Sequence, residues 1–249
     1  MIRFPVLSAL LVCLAVAASA QSNAPWGYQG RKGPLSWGKL SPDYSTCADG
    51  RAQSPIDIRD AHRSKNLQPI DFHYIAGGVT LRNTGHTIEV EVHPGSYIIA
   101  NGVRYNLESF EFHRPGEHAV NGRLTDMDVE LKHRSPDGQM AILVARFVEN
   151  MDAPNATMAA LWQHLPQSPG ATQTDSDLIN PGGLLPGDRG YWTYMGSLTT
   201  PPCTEGVRWF ILEQTVPVST AQLNAFRSLY RLNSRPLQDR HNRVIEANE

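Results

Sequence analysis

Apolar and polar residues alternate with a period of two along most of the chain, the pattern of strands with one buried face. His86–Val92 places Ile88, Val90 and Val92 on one side. Val103–His113 puts Phe110 and Phe112 on one face and Ser109, Glu111 and His113 on the other. Asp126–His133 separates Met127, Val129, Leu131 and His133 from Asp128, Glu130 and Lys132. Met140–Val148 and Val207–Leu212 are apolar almost throughout, as central strands covered on both faces would be. Turn signals at Asn101-Gly102, Pro136-Asp137-Gly138 and Pro181-Gly182-Gly183 punctuate the series. Helical spacing is credible at Ala156–Leu165 and Ser219–Leu232. The second opens on a capping box, Ser219 with Gln222, and carries Leu223, Phe226, Leu229 and Tyr230 as its apolar stripe. The expected fold class is mainly β (α+β), in a single domain without repeats or linkers.

Composition agrees with this pattern. The 249 residues include 20 Gly and 18 Pro, which suits a loop-rich β protein. With 22 basic and 24 acidic side chains the net charge is −2, without the basic excess of a nucleic-acid-binding protein, so no nucleic-acid partner is expected. Residues 1–20, MIRFPVLSALLVCLAVAASA, have a basic start, a short apolar run and a small-x-small end at Ala18-Ser19-Ala20. They are predicted to be a secretory signal peptide, with an uncleaved membrane anchor as the alternative. Residues 21–249 then form the mature domain, secreted or periplasmic, with no membrane attachment after cleavage. Cys13 leaves with the leader, so Cys47 and Cys203 remain. In an oxidising compartment two cysteines point to one disulfide, the alternative being two unpaired buried thiols.

Candidate chemistry begins with Glu111 and His113, two residues apart on one strand and therefore on one face. Glu130, on the next strand, offers a third ligand. By spacing alone the set is equally a solvent-facing group of polar residues.

Longer motifs add to this. The stretch from Tyr191 to Cys203 (YWTYMGSLTTPPC), Gln53-Ser54-Pro55-Ile56-Asp57-Ile58 and Asn83-Thr84-Gly85-His86 follow one another in the order of one family. So do Trp26-Gly27-Tyr28, Gly33-Pro34 before Trp37-Gly38, and Asn233-x-Arg235-Pro236-x-Gln238. Together they resemble the α-class carbonic anhydrases of the bacterial secreted type, over essentially the whole mature chain. The resemblance implies a twisted, mostly antiparallel central sheet of about ten strands and a conical cleft with zinc at its base. It implies reversible hydration of carbon dioxide to bicarbonate, a small-molecule substrate. In carbonic anhydrase itself three His hold zinc and the metal brings its bound water to a pKa of about 7, a value taken over with the resemblance. The family's bacterial members also carry a disulfide at the positions of Cys47 and Cys203.

Residue by residue, the resemblance makes His86 the proton shuttle, Thr199 the gatekeeper hydroxyl and Glu117 the buried carboxylate that orients it. Leu198, Ile142, Val207 and Trp209 fall on the apolar wall where carbon dioxide rests, and Thr200 lines the same cleft. The three metal-ligand positions depart from the pattern: Glu111, His113 and Glu130 stand where the family has three His. Ser109 and Asp128 replace a Gln and a Glu behind them, Lys132 enters the apolar wall, and Glu89 replaces a neutral polar residue at the rim. Zinc held by two carboxylates is formally neutralised and stabilises hydroxide less. Two acids, an ammonium and an imidazolium balance without an ion. The favoured reading is a secreted family member with weak or absent hydration. Alternatives are a working enzyme with a Glu/His/Glu zinc site, and a site for a harder ion such as manganese or iron.

Overall fold

A computed structural model describes residues 25–249, apart from the side chains of 176 and 177. The leader predicted at 1–20 lies outside the described residues. A 13-stranded sheet dominates. Its main path runs Thr172–Ile179, Gly77–Asn83, Ile88–Val92, Val103–His113, Met127–Arg134, Met140–Glu149, Glu205–Leu212, Tyr191–Ser197, Glu246–Ala247 and His62–Arg63. Most neighbours on this path are antiparallel, but Met140–Glu149 runs parallel to Glu205–Leu212. The two nearly all-apolar runs are thus adjacent in the middle of the sheet, covered on both faces. Ile142, Val144, Val207, Trp209 and Ile211 form one buried cluster with Tyr194, while Phe110, Phe112, Val129, Leu131, Leu143 and Phe147 belong to the larger core. The division of side chains between two faces is as read, but the polar face of Val103–His113 and Met127–Arg134 is also covered: Ser109, Glu111, His113, Asp128 and Glu130 are buried.

Several boundaries move for local reasons. The strand expected from His86 starts at Ile88, because Thr84 Oγ1 accepts from the backbone of both His86 and Thr87 and holds that segment in a turn. Asn101 and Gly102, with φ of 48° and 78°, close a two-residue hairpin. The first helix ends at Trp162 rather than Leu165, since Gln163 and His164 tighten onto Ala160 and Leu161 and Pro166 disfavours a helical residue before it. The second spans Thr220–Leu229 with the predicted capping box in place. It stops short of Leu232 because Tyr230 turns extended and its hydroxyl donates to Asn83.

Cys47 and Cys203 are bonded across a sequence separation of 156. On a chain-entropy argument such a cross-link is worth about 4–5 kcal/mol. It ties the N-terminal segment, through the Trp37 cluster, to the loop that carries Thr199 and Thr200.

Candidate metal position and its surroundings

Strand register builds the site. Glu89, Glu111 and Glu130 lie directly opposite one another on three neighbouring strands, forming a cross-strand row of carboxylates. Like charges in that arrangement repel. The row is closed at its outer end by Arg82, opposite Glu89 and 3.5 Å from it. His113 faces Asp128 in the next register position. Lys132, two residues beyond Glu130 on the same face, lies diagonal to Glu111 and reaches it: Nζ is 2.8 Å from Glu111 Oε1 and 4.0 Å from Glu89 Oε1.

His113 is fixed from both sides. Its Nδ1–H donates to the carbonyl of Asn233 at 2.8 Å, with Glu117 Oε1 3.6 Å away. Its Nε2 lies 3.4 Å from Glu111 Oε1 and 3.8 Å from Glu130 Oε2. Burial alone would lower the pKa of this ring, but Glu117, Glu130 and Glu111 outweigh it and hold the pKa well above the ordinary value. These carboxylates favour the protonated ring. Burial would raise Glu111, yet Lys132 and His113 overcome it and keep its carboxyl well below the usual range. Glu130 goes the other way: burial and the nearby carboxylates of Glu117, Asp128 and Glu111 push it well up, against His113.

The other predicted residues are brought to the same region. Ile142 stands opposite both Lys132 and Trp209, and Leu198 packs against the cluster that holds Ile142, Val207 and Trp209. Thr199 is buried, and Thr200 accepts the backbone N–H of Cys203 at 2.8 Å. His86 is half-buried and stacks on Trp26 with ring centroids 3.7 Å apart; burial lowers its pKa. One expected contact is absent. Glu117 Oε1 accepts the backbone N–H of Arg235 at 2.7 Å, and Oε2 is buried without a hydrogen-bond partner, so no hydrogen bond joins Glu117 to Thr199. The carboxylate faces the 235 backbone and His113.

Residues outside the predicted set also shape the region. Asn233 anchors His113 and, through Nδ2, bonds the carbonyls of His86 and Phe112. It sits inside the Asn233-x-Arg235-Pro236 motif, which was the signal available for it. His118 Nε2 meets the Tyr194 hydroxyl at 2.7 Å, which in turn meets Ser54 Oγ at 2.7 Å. That relay passes where Gly196 lies: a Cβ there would fall 2.1 Å from Ser54 Oγ and 2.9 Å from the Trp209 ring. Only glycine permits the approach.

Ligand atoms of Glu111, His113 and Glu130 come within 4.8 Å of one another. Their chemistry nevertheless does not fit the zinc centre that the resemblance implies. Carboxylate oxygens bind zinc at about 2.0–2.2 Å, but two of them cancel the charge that acidifies a bound water. Glu111 already holds an ammonium, and the carboxylates around His113 favour the protonated ring, which cannot serve as a ligand.

Comparison with known proteins accords with the fold. The profile of eukaryotic-type carbonic anhydrases matches residues 32–249. A carbonic anhydrase of Pectobacterium carotovorum is 35% identical over 238 residues, spanning 95% of this chain and 96% of the relative. The α-carbonic anhydrase of Thermovibrio ammonificans, solved with the inhibitor sulfanilamide, superimposes with a TM-score of 0.86 at 38% identity, covering 90% of this chain and 99% of that one. Dioscorin, solved in complex with ascorbate, gives a TM-score of 0.83 at 30% identity over 90% and 97% of the two chains. The chain belongs to the α-carbonic anhydrase family.

Proposed function

We propose that this protein keeps the carbonic anhydrase fold outside the cytosol while carbon dioxide hydration is lost or severely weakened. The observation that carries the reading is the ion pair of Lys132 with Glu111, 2.8 Å long, next to His113, 3.4 Å from the same carboxylate oxygen. It answers with protein charge one of the two carboxylates that stand at the family's metal-ligand positions. The family resemblance puts His86, Thr199 and Thr200 around a cleft, and such polar groups would suit a small polar molecule. The structural likeness to dioscorin in complex with ascorbate supports that part of the reading. The Cys47–Cys203 bond supports an oxidising compartment.

Carbon dioxide hydration by the secreted protein is expected at the background rate, with no sulfonamide-sensitive component. Replacing Glu111→His, Glu130→His and Lys132→Val together restores a neutral imidazole set and removes the ammonium. Zinc uptake and measurable hydration should follow. Sulfonamide-sensitive turnover by the unaltered protein would refute the proposal.

A further inference from the structure

Glu130 belongs to two groups of converging side chains. Besides Glu111 and His113, it comes together with His118 and Asp128, whose ligand atoms and its own also lie within 4.8 Å of one another. This second group is closed to solvent: His118 is 1% exposed, Asp128 0% and Glu130 1%. Each member contributes a buried atom with no hydrogen-bond partner, namely His118 Nδ1, Asp128 Oδ1 and Glu130 Oε1. Buried polar atoms without partners are rare, and each costs about 1–3 kcal/mol. Here three occur in one group, and Glu117 Oε2, on the neighbouring residue to His118, is a fourth.

Two of the side chains are also held by their other polar atom. His118 Nε2 meets the Tyr194 hydroxyl at 2.7 Å. When Nε2 carries the hydrogen, it donates to Tyr194, Tyr194 donates to Ser54, and Nδ1 keeps a free lone pair. Asp128 Oδ2 accepts the backbone N–H of Glu117 at 2.7 Å, leaving Oδ1 free. Glu130 Oε2 faces His113 at 3.8 Å, leaving Oε1 free. Outer contacts of this kind orient the ligands of a metal. Two buried cations stand opposite Asp128, His113 on one neighbouring strand and Arg146 on the other. His113 is shared among Glu111, Glu117 and Glu130, and the Arg146 guanidinium donates to the carbonyls of Leu212 and Glu213. One imidazole nitrogen with two carboxylates suits divalent ions between manganese and zinc.

We propose that His118, Asp128 and Glu130 form a closed structural site for a divalent transition cation, deeper than the family's metal position and distinct from it. Because the site is sealed, the ion enters as the chain folds. The proposal does not depend on whether hydration survives, and activity is not its readout.

The test uses full-length protein produced in medium supplemented with Mn²⁺ or, separately, with Zn²⁺, then freed of loose metal. Elemental analysis should find close to one ion per chain. Anomalous scattering from crystals should place it within bonding distance of His118 Nδ1, Asp128 and Glu130. Asp128→Asn should lower retained metal at least 10-fold, whereas the paired change Glu111→Gln with Lys132→Met should leave it unaltered. Absence of bound metal, an ion bonded to His113 and Glu111, or full retention in Asp128→Asn would each overturn the proposal. The scattering map of the unaltered protein decides the matter even where a variant fails to fold.

Discussion

Glu111 and Asp128 sit diagonally on neighbouring strands, two residues out of register, and their environments are opposites. Glu111 lies at the cleft side of the floor, where a long side chain from the surface can reach it. Lys132, 22% exposed, spans the gap and brings an ammonium to within 2.8 Å. Asp128 lies behind, where no lysine stem could enter without being buried whole. It keeps one backbone hydrogen bond and one oxygen with no partner, and burial raises its carboxyl to about 7. The lesson concerns what can compensate a buried acid. Near the cleft a flexible cation compensates it at modest desolvation cost. At depth the cations opposite Asp128, His113 and Arg146, are bonded to other groups, which leaves a proton or a small ion to compensate it.

The strongest way to break this contrast is to remove the cation. Lys132→Met leaves Glu111 charged, buried and opposite two other acids. Loss of about 3 kcal/mol of stability is expected in urea unfolding at pH 7.5. Adding Glu111→Gln to it should restore most of that loss, since the penalty belongs to the orphaned charge and not to a missing contact. A loss below about 1 kcal/mol would place the pair among ordinary surface bridges.

Neutralising the deep acid should have the opposite sign. In metal-free protein Asp128→Asn keeps an acceptor for the Glu117 N–H and adds a donor among unpaired oxygens. A gain of about 1–2 kcal/mol at pH 8 is expected. Destabilisation there would mean that Asp128 already has a charged partner.

The smallest effect is in pH dependence. Glu111, lowered in the fold, contributes stability present above its unfolded pKa near 4.5 and lost as pH falls below it. Asp128, raised from 3.8 to about 7, acts in reverse: the folded state binds the extra proton, so stability falls as pH rises through that interval. His113, raised above 6.5, adds stability that is complete below that pH and lost on the alkaline side. Thermal unfolding of the metal-free protein should therefore peak between about pH 4 and 5. Asp128→Asn should flatten the decline between pH 4 and 7.

Five strands, among them the buried Met140–Val148 and Val207–Leu212, were legible from periodicity, while Gly77–Asn83, Thr172–Ile179 and Tyr191–Ser197 were not read as strands. The pairing of Cys47 with Cys203 was the expected one of two readings, and the disulfide is present. The sharing of one face by Glu130 and Lys132 was legible too, because a strand's side-chain period is two. The family resemblance added that Glu111 and Glu130 stand where imidazoles are usual, with Lys132 able to answer them. The charge balance, however, counted two acids against two cations. Register and loop packing add Glu117 and Asp128 to the same neighbourhood and make Glu111, not Glu130, the partner of Lys132. The hydrogen bond of Glu117 with the Arg235 backbone and the service of Asn233 to His113 are likewise contacts across more than a hundred residues. Local pattern dictates which face a side chain takes. Which charges meet depends on strand register and chain crossings, and those are set only when the whole sheet closes.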